Sequence, residues 1–218
     1  SPADLMDLWE EILKTHDEVV HIPMSSGLSG SHETAAGFAR EFNGRVHVVD
    51  NHRISVTMRQ SVLEALQMTK DGKTGAEIKA YLEKDGLESS IYIAVNTLEY
   101  LKKGGRISKT VAFVGGALAI KPVVAIVDGK VILLGKARGS KNGENFLMRE
   151  AEKAGLDFSR PVCLGYTGFS DAMLQKYMED SRHLWEGHED SLPICTIGAT
   201  IGTHIGPNAI ALSFFGKK

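Results

Sequence analysis

The chain has little cysteine: two in 218 residues. Both lie in apolar, strand-like runs, so Cys163 and Cys195 read as buried free thiols in a reducing cytosol rather than as a disulfide. No apolar run reaches the roughly 18 residues that span a bilayer, and no signal-peptide pattern opens the sequence. These absences argue against stable membrane insertion and for a cytoplasmic location. Basic blocks are missing too. A net charge of −2 without a clustered Lys/Arg face argues against a nucleic-acid partner. No G-x-G-x-x-G follows a strand, which excludes the usual dinucleotide cofactor site. Repeats and low-complexity tracts are also absent. What remains has the composition of a globular chain long enough for one large domain or two small ones.

The pattern predicts an α/β chain of two domains. Over residues 1–86 helices and strands alternate: helix 2–15, strand 18–24, helix 28–42, strand 46–49, helices 54–70 and 74–84. That alternation predicts a parallel-type α/β layer. Ser1 followed by Pro2 is a helix start, and Leu5, Leu8, Trp9, Ile12 and Leu13 recur at helical spacing. Gly86 is the expected cap of the last helix. Residues 87–218 change grammar, with strands at 90–94, 122–127, 130–136, 161–166, 192–197 and 209–215 and helices at 140–155 and 171–185. Asp128-Gly129 between two apolar runs is hairpin chemistry, and Asp171 is placed to cap a helix. The second domain is therefore expected to be a mostly antiparallel six-stranded sheet with packed helices.

The most informative segment is Ser25-Ser26-Gly27-Leu28-Ser29-Gly30. It follows a strand-like run (Val19, Val20, Ile22, Met24) and leads into a helical segment from Leu28. A strand that breaks at serines and glycines and then opens a helix presents unpaired N–H groups and hydroxyls at one point, where a carboxylate or phosphate binds well. Helix capping alone also explains such a segment. On a strand Ser25 faces away from Ser26, which makes Ser26 the better ligand contact. A second glycine-punctuated run, Gly198-Ala199-Thr200-Ile201-Gly202-Thr203-His204-Ile205-Gly206-Pro207, carries one imidazole. It is too glycine-rich for a core strand, and its glycines suggest close approach to a ligand or to another loop. A buried His204 calls for a partner, a carboxylate or a neighbouring carbonyl. Between these runs lies Thr97-Leu98-Glu99-Tyr100-Leu101-Lys102-Lys103-Gly104-Gly105-Arg106-Ile107-Ser108-Lys109, a short helix with a Gly-Gly stop. Such a stop sends Arg106 into solvent.

In this order, with Val48-Val49-Asp50, Ile120-Lys121-Pro122 and the Asp128-Gly129-Lys130 hairpin, these segments resemble the DegV family of bacterial fatty-acid-binding proteins over residues 1–215. The resemblance implies the same two-domain division, with a long-chain fatty acid held between the domains and no turnover. It implies that Ser26 and the N–H groups near Gly27, with Ser25 a lesser contributor, receive the carboxylate together with His204. It implies that Arg106 docks an ATP-dependent fatty acid kinase subunit, which phosphorylates the presented carboxylate to an acyl phosphate. No metal or cofactor is implied beyond the fatty acid itself. Family members usually open with a strand, an Asp-Ser-Thr turn and several dozen further residues, so a preceding segment, including a threonine near the head group, is expected upstream of Ser1. Asn51 stands where a serine often follows the Val-Asp pair. Asn208, in a stretch usually richer in glycine, suits a left-handed backbone.

Other chemistries compete on fewer residues. Gly27-Leu28-Ser29-Gly30-Ser31 nearly matches the nucleophile elbow, and an acyl-ester hydrolase using Ser26 and His204 is the alternative function, although no acid is nominated to orient the histidine. Gly72-Lys73-Thr74 lacks the first glycine of a phosphate loop, Gln67 standing in its place, and reads as a helix break. His183 and His188 lack the spacing and companions of a metal site. His16, His21, His32, His47 and His52 are scattered and read as structural or exposed.

Overall fold

The computed structural model describes residues 1–85, 89–108, 120–138 and 140–215. Gly86, the expected helix cap, and Lys109 lie outside the described residues. The chain separates into two compact units, Ser1–Glu88 and Ser89–Lys218.

The first unit is built on two parallel strands, β1 (Val19–His21) and β2 (Val46–Val48), paired Val19↔Val46, Val20↔His47 and His21↔Val48. Helix α1 (Pro2–Ile12) starts as expected: Pro2 occupies the first turn and the Ser1 hydroxyl accepts from the Asp4 N–H at 3.3 Å. It ends before residue 15, and of its apolar positions Trp9 is buried while Leu8 is exposed. Helix α2 (Ser31–Ala39) runs on into a 3-10 turn over residues 40–42. Trp9, Ala35, Val46 and Val48 form one core layer, with Trp9 edge-on to His21 and Phe42. Val49 joins Ala65 of α3 (Ser55–Lys70) and Ile78 and Leu82 of α4 (Gly75–Asp85) in a second layer, against which Val20 and Ile22 pack. Alternate side chains of the strand-bearing segments thus enter different layers, as in a parallel sheet covered on both faces. Past the end of α3, Gly72 adopts φ +77°, so Gly72-Lys73-Thr74 is a helix break.

The second unit carries a six-stranded sheet from β3 (Ser89–Ala94), β4 (Ile120–Val127), β5 (Lys130–Arg138), β6 (Cys163–Tyr166), β7 (Ile194–Thr196) and β8 (Ile210–Phe215), in the order β5-β4-β3-β8-β6-β7. All pairings are antiparallel except β6 with β7. The β4–β5 hairpin turns at Asp128 and Gly129, both at positive φ (47° and 72°), as a two-residue turn between twisted strands requires. Helix α5 (Glu99–Lys103) follows β3, α6 (Ser140–Ala154) follows β5, and α7 (Ala172–Asp180) follows β6. Leu147, Ala151, Leu174 and Tyr177 from α6 and α7 meet Val123, Leu164, Leu212 and Phe214 of the sheet in the principal core. Asp171 precedes α7 without capping it. Its carboxylate accepts from the Gln175 side chain, while the Ser170 hydroxyl takes the Ala172 N–H. A last helix, α8 (Ala199–Ile205), occupies the run read from the sequence as too glycine-rich for a core strand.

Candidate functional site

The serines after β1 form a turn rather than a helix start. Ser25 is buried, its N–H donates to the Arg53 carbonyl (2.9 Å), and its own carbonyl accepts from the Leu28 and Ser29 N–H groups (3.0 and 3.1 Å). The Ser25 hydroxyl accepts from the Gly27 N–H at 3.2 Å, and the Ser26 N–H donates to Asp50 Oδ1 at 3.3 Å. The amides of residues 26 and 27, expected to be open to a ligand, therefore have partners within the chain. Helix α2 begins only at Ser31, whose N–H is held by the Ser29 hydroxyl (3.2 Å). Local hydroxyl-to-backbone bonds have competed with the helix and won over residues 25–29. The turn is preorganised: Ser26 is half-buried and Gly27 exposed, while Ser25 is fixed in the interior.

Asp50 is the second element of this site. Parallel pairing of β1 with β2 brings the segments beyond their C-terminal ends side by side, and ligands bind at such ends in α/β layers. The Asp50 N–H donates to Glu83 (3.0 Å), and Asp50 Oδ2 lies 3.6 Å from His52 Nε2 and 4.0 Å from His32 Nδ1. Partial burial pushes the Asp50 carboxyl up. Hydrogen bonds from the Ser26 hydroxyl and amide outweigh that effect, and with His32 and His52 they hold it below the usual aspartate range. Next to it, Asn51 donates to the Ser61 hydroxyl (2.7 Å), and the buried Arg53 guanidinium donates to the same oxygen (2.9 Å) and to Glu64 (3.4 Å). This network fixes residues 50–53, which in turn hold the Ser25 and Ser26 amides. His52 and Ser55 sit at positive φ (58° and 57°), unusual for such residues and tolerated where surroundings over-determine the backbone.

The second unit gathers the other two motifs. His204 stands on α8, and a Cβ added to Gly104 would fall 2.1 Å from His204 Nδ1, so the imidazole occupies the space a side chain at 104 would need. Gly206 (φ +78°) approaches the Tyr100 ring, where a Cβ would lie 2.5 Å from Cδ2. Of the glycines around His204, Gly206 thus makes a close approach to helix α5, while Gly202 has only an ordinary contact with Thr167 and Gly198 faces open space. The Thr167 hydroxyl donates to the Gly206 carbonyl (2.7 Å) and accepts from the Ala209 N–H (2.9 Å), and Asn96 donates to the Pro207 carbonyl (2.9 Å). Asn208 takes φ +56°, the left-handed conformation expected of it. Helix α5 ends in a Schellman motif: the Arg106 N–H donates to Leu101 and the Gly105 N–H, at φ +70°, to Lys102. The exposed Arg106 side chain donates to the Gly104 carbonyl at 2.6 Å. The Nδ1 atom of His204 is buried without a hydrogen-bond partner among the described residues.

Sequence reasoning nominated Ser25, Ser26 and Gly27, which lie in the first unit, and His204 and Arg106, which lie in the second. It passed over His32 and His52, treated as scattered, and gave Asp50 no role. The parallel strand ends were the available signal. In a serine hydrolase a histidine stands between serine and acid. Here it is the Ser26 backbone N–H that donates to Asp50 Oδ1. His183 pairs with Glu152 (2.8 Å), His47 with Glu18 (3.0 Å), and His188 stacks on Phe158. Among the described residues no cluster of three metal-ligating side chains occurs, and no helix is long and apolar enough to cross a membrane.

A family model described as "Uncharacterised protein, DegV family" matches residues 1–217. A DegV domain-containing protein of Caldanaerobacter subterraneus is 29% identical over 227 residues, covering 100% of this chain and 77% of the relative. The structure of a fatty-acid-binding DegV family protein from Thermus thermophilus superposes with a TM-score of 0.82 at 28% identity, covering 100% of this chain and 77% of the other. The fatty-acid-binding DegV family protein of Streptococcus agalactiae gives a TM-score of 0.86 at 25% identity with the same coverage.

Proposed function

The chain belongs to the DegV family, and from that premise we propose that it binds one long-chain fatty acid and does not transform it. The observation that carries this reading is the preorganised Ser25–Ser26–Gly27 turn held by Asp50, in a chain aligned along its whole length with fatty-acid-binding relatives. Burying a sixteen-carbon tail contributes roughly 0.8 kcal/mol per CH₂, ~11–12 kcal/mol before entropy costs. The tail therefore dominates affinity, and the polar residues orient the head. In this reading Ser26 is the principal head-group contact, Gly27 leaves its approach open, and His204 offers an imidazole to the carboxyl group. Ser25 acts from the interior by holding the Gly27 amide.

The finer reading is that the bound carboxyl group is presented to a kinase subunit that brings ATP and forms an acyl phosphate in the cytoplasm. Arg106 supports it: the Schellman turn fixes the backbone there and leaves the side chain exposed.

The test is extraction of the purified protein with organic solvent and mass spectrometry of the extract, beside Ser26→Ala, His204→Ala and the double variant. About one fatty acid per chain, reduced in the variants, is the expected result. An empty, folded wild-type chain that takes up no added fatty acid overturns the proposal. Arg106→Ala should keep the lipid and lose phosphorylation by the kinase subunit. Ester hydrolysis by the protein alone would favour the hydrolase alternative.

A further inference from the structure

The two cysteines take no part in the site above. Cys163 opens β6, and Cys195 is the middle residue of β7, the edge strand paired in parallel with β6. Cys195 stands in register with Gly165. A Cβ on Gly165 would lie 3.3 Å from Cys195 Sγ, so the missing side chain leaves the sulfur room on that face of β6. Cys163, two residues earlier, presents its side chain to the same face. The two Sγ atoms lie 3.8 Å apart, with the Cys163 S–H donating to Cys195. Cys163 is buried and Cys195 is half-exposed, which corrects the expectation that both are buried. The hydrogen bond from Cys163 brings the Cys195 thiol down to about 7, against burial, which raises it. An accessible sulfur that is about half thiolate at neutrality, beside a second thiol at 3.8 Å, is the arrangement of a redox-responsive pair.

We propose that Cys195 and Cys163 form a peroxide-responsive dithiol, with Cys195 the attacking and Cys163 the resolving sulfur. The Cys195 thiolate attacks one oxygen of a hydroperoxide. The O–O bond breaks, and the other oxygen leaves as hydroxide or alkoxide and takes up a proton. Cys195 is now a sulfenic acid. The Cys163 sulfur then attacks the Cys195 sulfur, the S–O bond breaks, and the hydroxyl leaves as water with the Cys163 proton. Two thiols lose two electrons in all, the hydroperoxide gains them, and the product is an intramolecular disulfide linking β6 to the sheet edge. A dithiol reductant reverses the change.

The test uses the full chain, reduced and then exposed to a small excess of hydrogen peroxide at neutral pH. The denatured protein should lose about 2 Da in intact mass, lose both maleimide-reactive thiols, stay a single chain on a non-reducing gel and recover both thiols with dithiothreitol. Cys163→Ser should instead accumulate a dimedone-reactive sulfenic acid at residue 195. Cys195→Ser should keep its remaining thiol over the same period. Two maleimide-reactive thiols that persist in the natively folded wild type overturn the proposal. So does a disulfide found only between chains.

Discussion

The imidazole of His204 rests on the backbone of Gly104, in the volume that any larger residue at 104 would fill. Two motifs about a hundred residues apart in sequence are thereby one object. The Gly-Gly stop of α5 gives His204 its seat, and the same stop leaves the Arg106 side chain exposed. Gly104 has φ −74°, a conformation open to every residue, so its requirement for glycine is steric and comes from His204.

Gly104→Ala should therefore destabilise the chain by about 1–3 kcal/mol through overpacking, and should reduce fatty-acid retention because His204 is displaced. Gly104→Ala combined with His204→Ala should recover most of the stability and none of the retention. Urea unfolding of the four chains measures the coupling. Additive costs would show that the two residues do not interact.

Asp50 makes a prediction about binding. The Ser26 N–H donates to Asp50 Oδ1, and a charged Asp50 disfavours a second carboxylate beside it. That favours a head group that carries its proton. Fatty-acid affinity should weaken as pH rises through the titration of the ligand. Asp50→Asn removes the charge and should tighten binding above neutrality by about 3- to 30-fold. Displacement of a fluorescent fatty acid across pH reads both. Equal affinity of the two chains at every pH would place the head group away from Asp50.

The buried polar network predicts a stability effect. The Arg53 side chain is fully buried, and its guanidinium reaches Ser61 and Glu64 while its carbonyl holds the Ser25 amide. Arg53→Ala leaves Glu64 without this partner and should cost about 3 kcal/mol, read as a lower urea midpoint. The loss should extend to fatty-acid retention, since the turn at Ser26 leans on the same loop. Wild-type stability in the variant would mean that the network is dispensable.

Much of this architecture was legible in local chemistry. Asp128-Gly129 specified its hairpin, Ser1-Pro2 its helix start and Asn208 its left-handed turn, because each depends on neighbouring residues alone. Ser26 and His204 stood out because serine and histidine are conspicuous between glycines. The helical state of residues 199–205 was hidden by its glycines: Gly198 and Gly206 flank the helix as its caps, and the low helix propensity of Gly202 within it is overridden by packing on α5. The meeting of Asp50, His32 and His52 was hidden for another reason. It depends on the parallel register of β1 and β2, and no local pattern shows which residues lie side by side at the strand ends. The same holds for the 3.8 Å approach of Cys163 and Cys195, which follows from the pairing of β6 with β7.

His21 sets the direction of the pH dependence of stability. It closes β1 against the edge of the Trp9 ring, and burial, aided by His32, lowers its pKa from 6.5. In the window from 6.5 down to the folded-state value, the unfolded chain binds a proton that the folded chain does not, so stability falls as pH falls. Asp50, also lowered, acts in the same direction but only below its unfolded value of 3.8. The two contributions therefore separate on the pH axis. His21→Phe keeps an aromatic ring beside Trp9 and removes the titrating group. The wild type should lose more thermal stability than His21→Phe between about pH 7 and about 5.5, and the two should run parallel above about pH 7.5. Parallel curves throughout would show that His21 binds its proton equally in both states, and would place the acid sensitivity on the carboxylates alone.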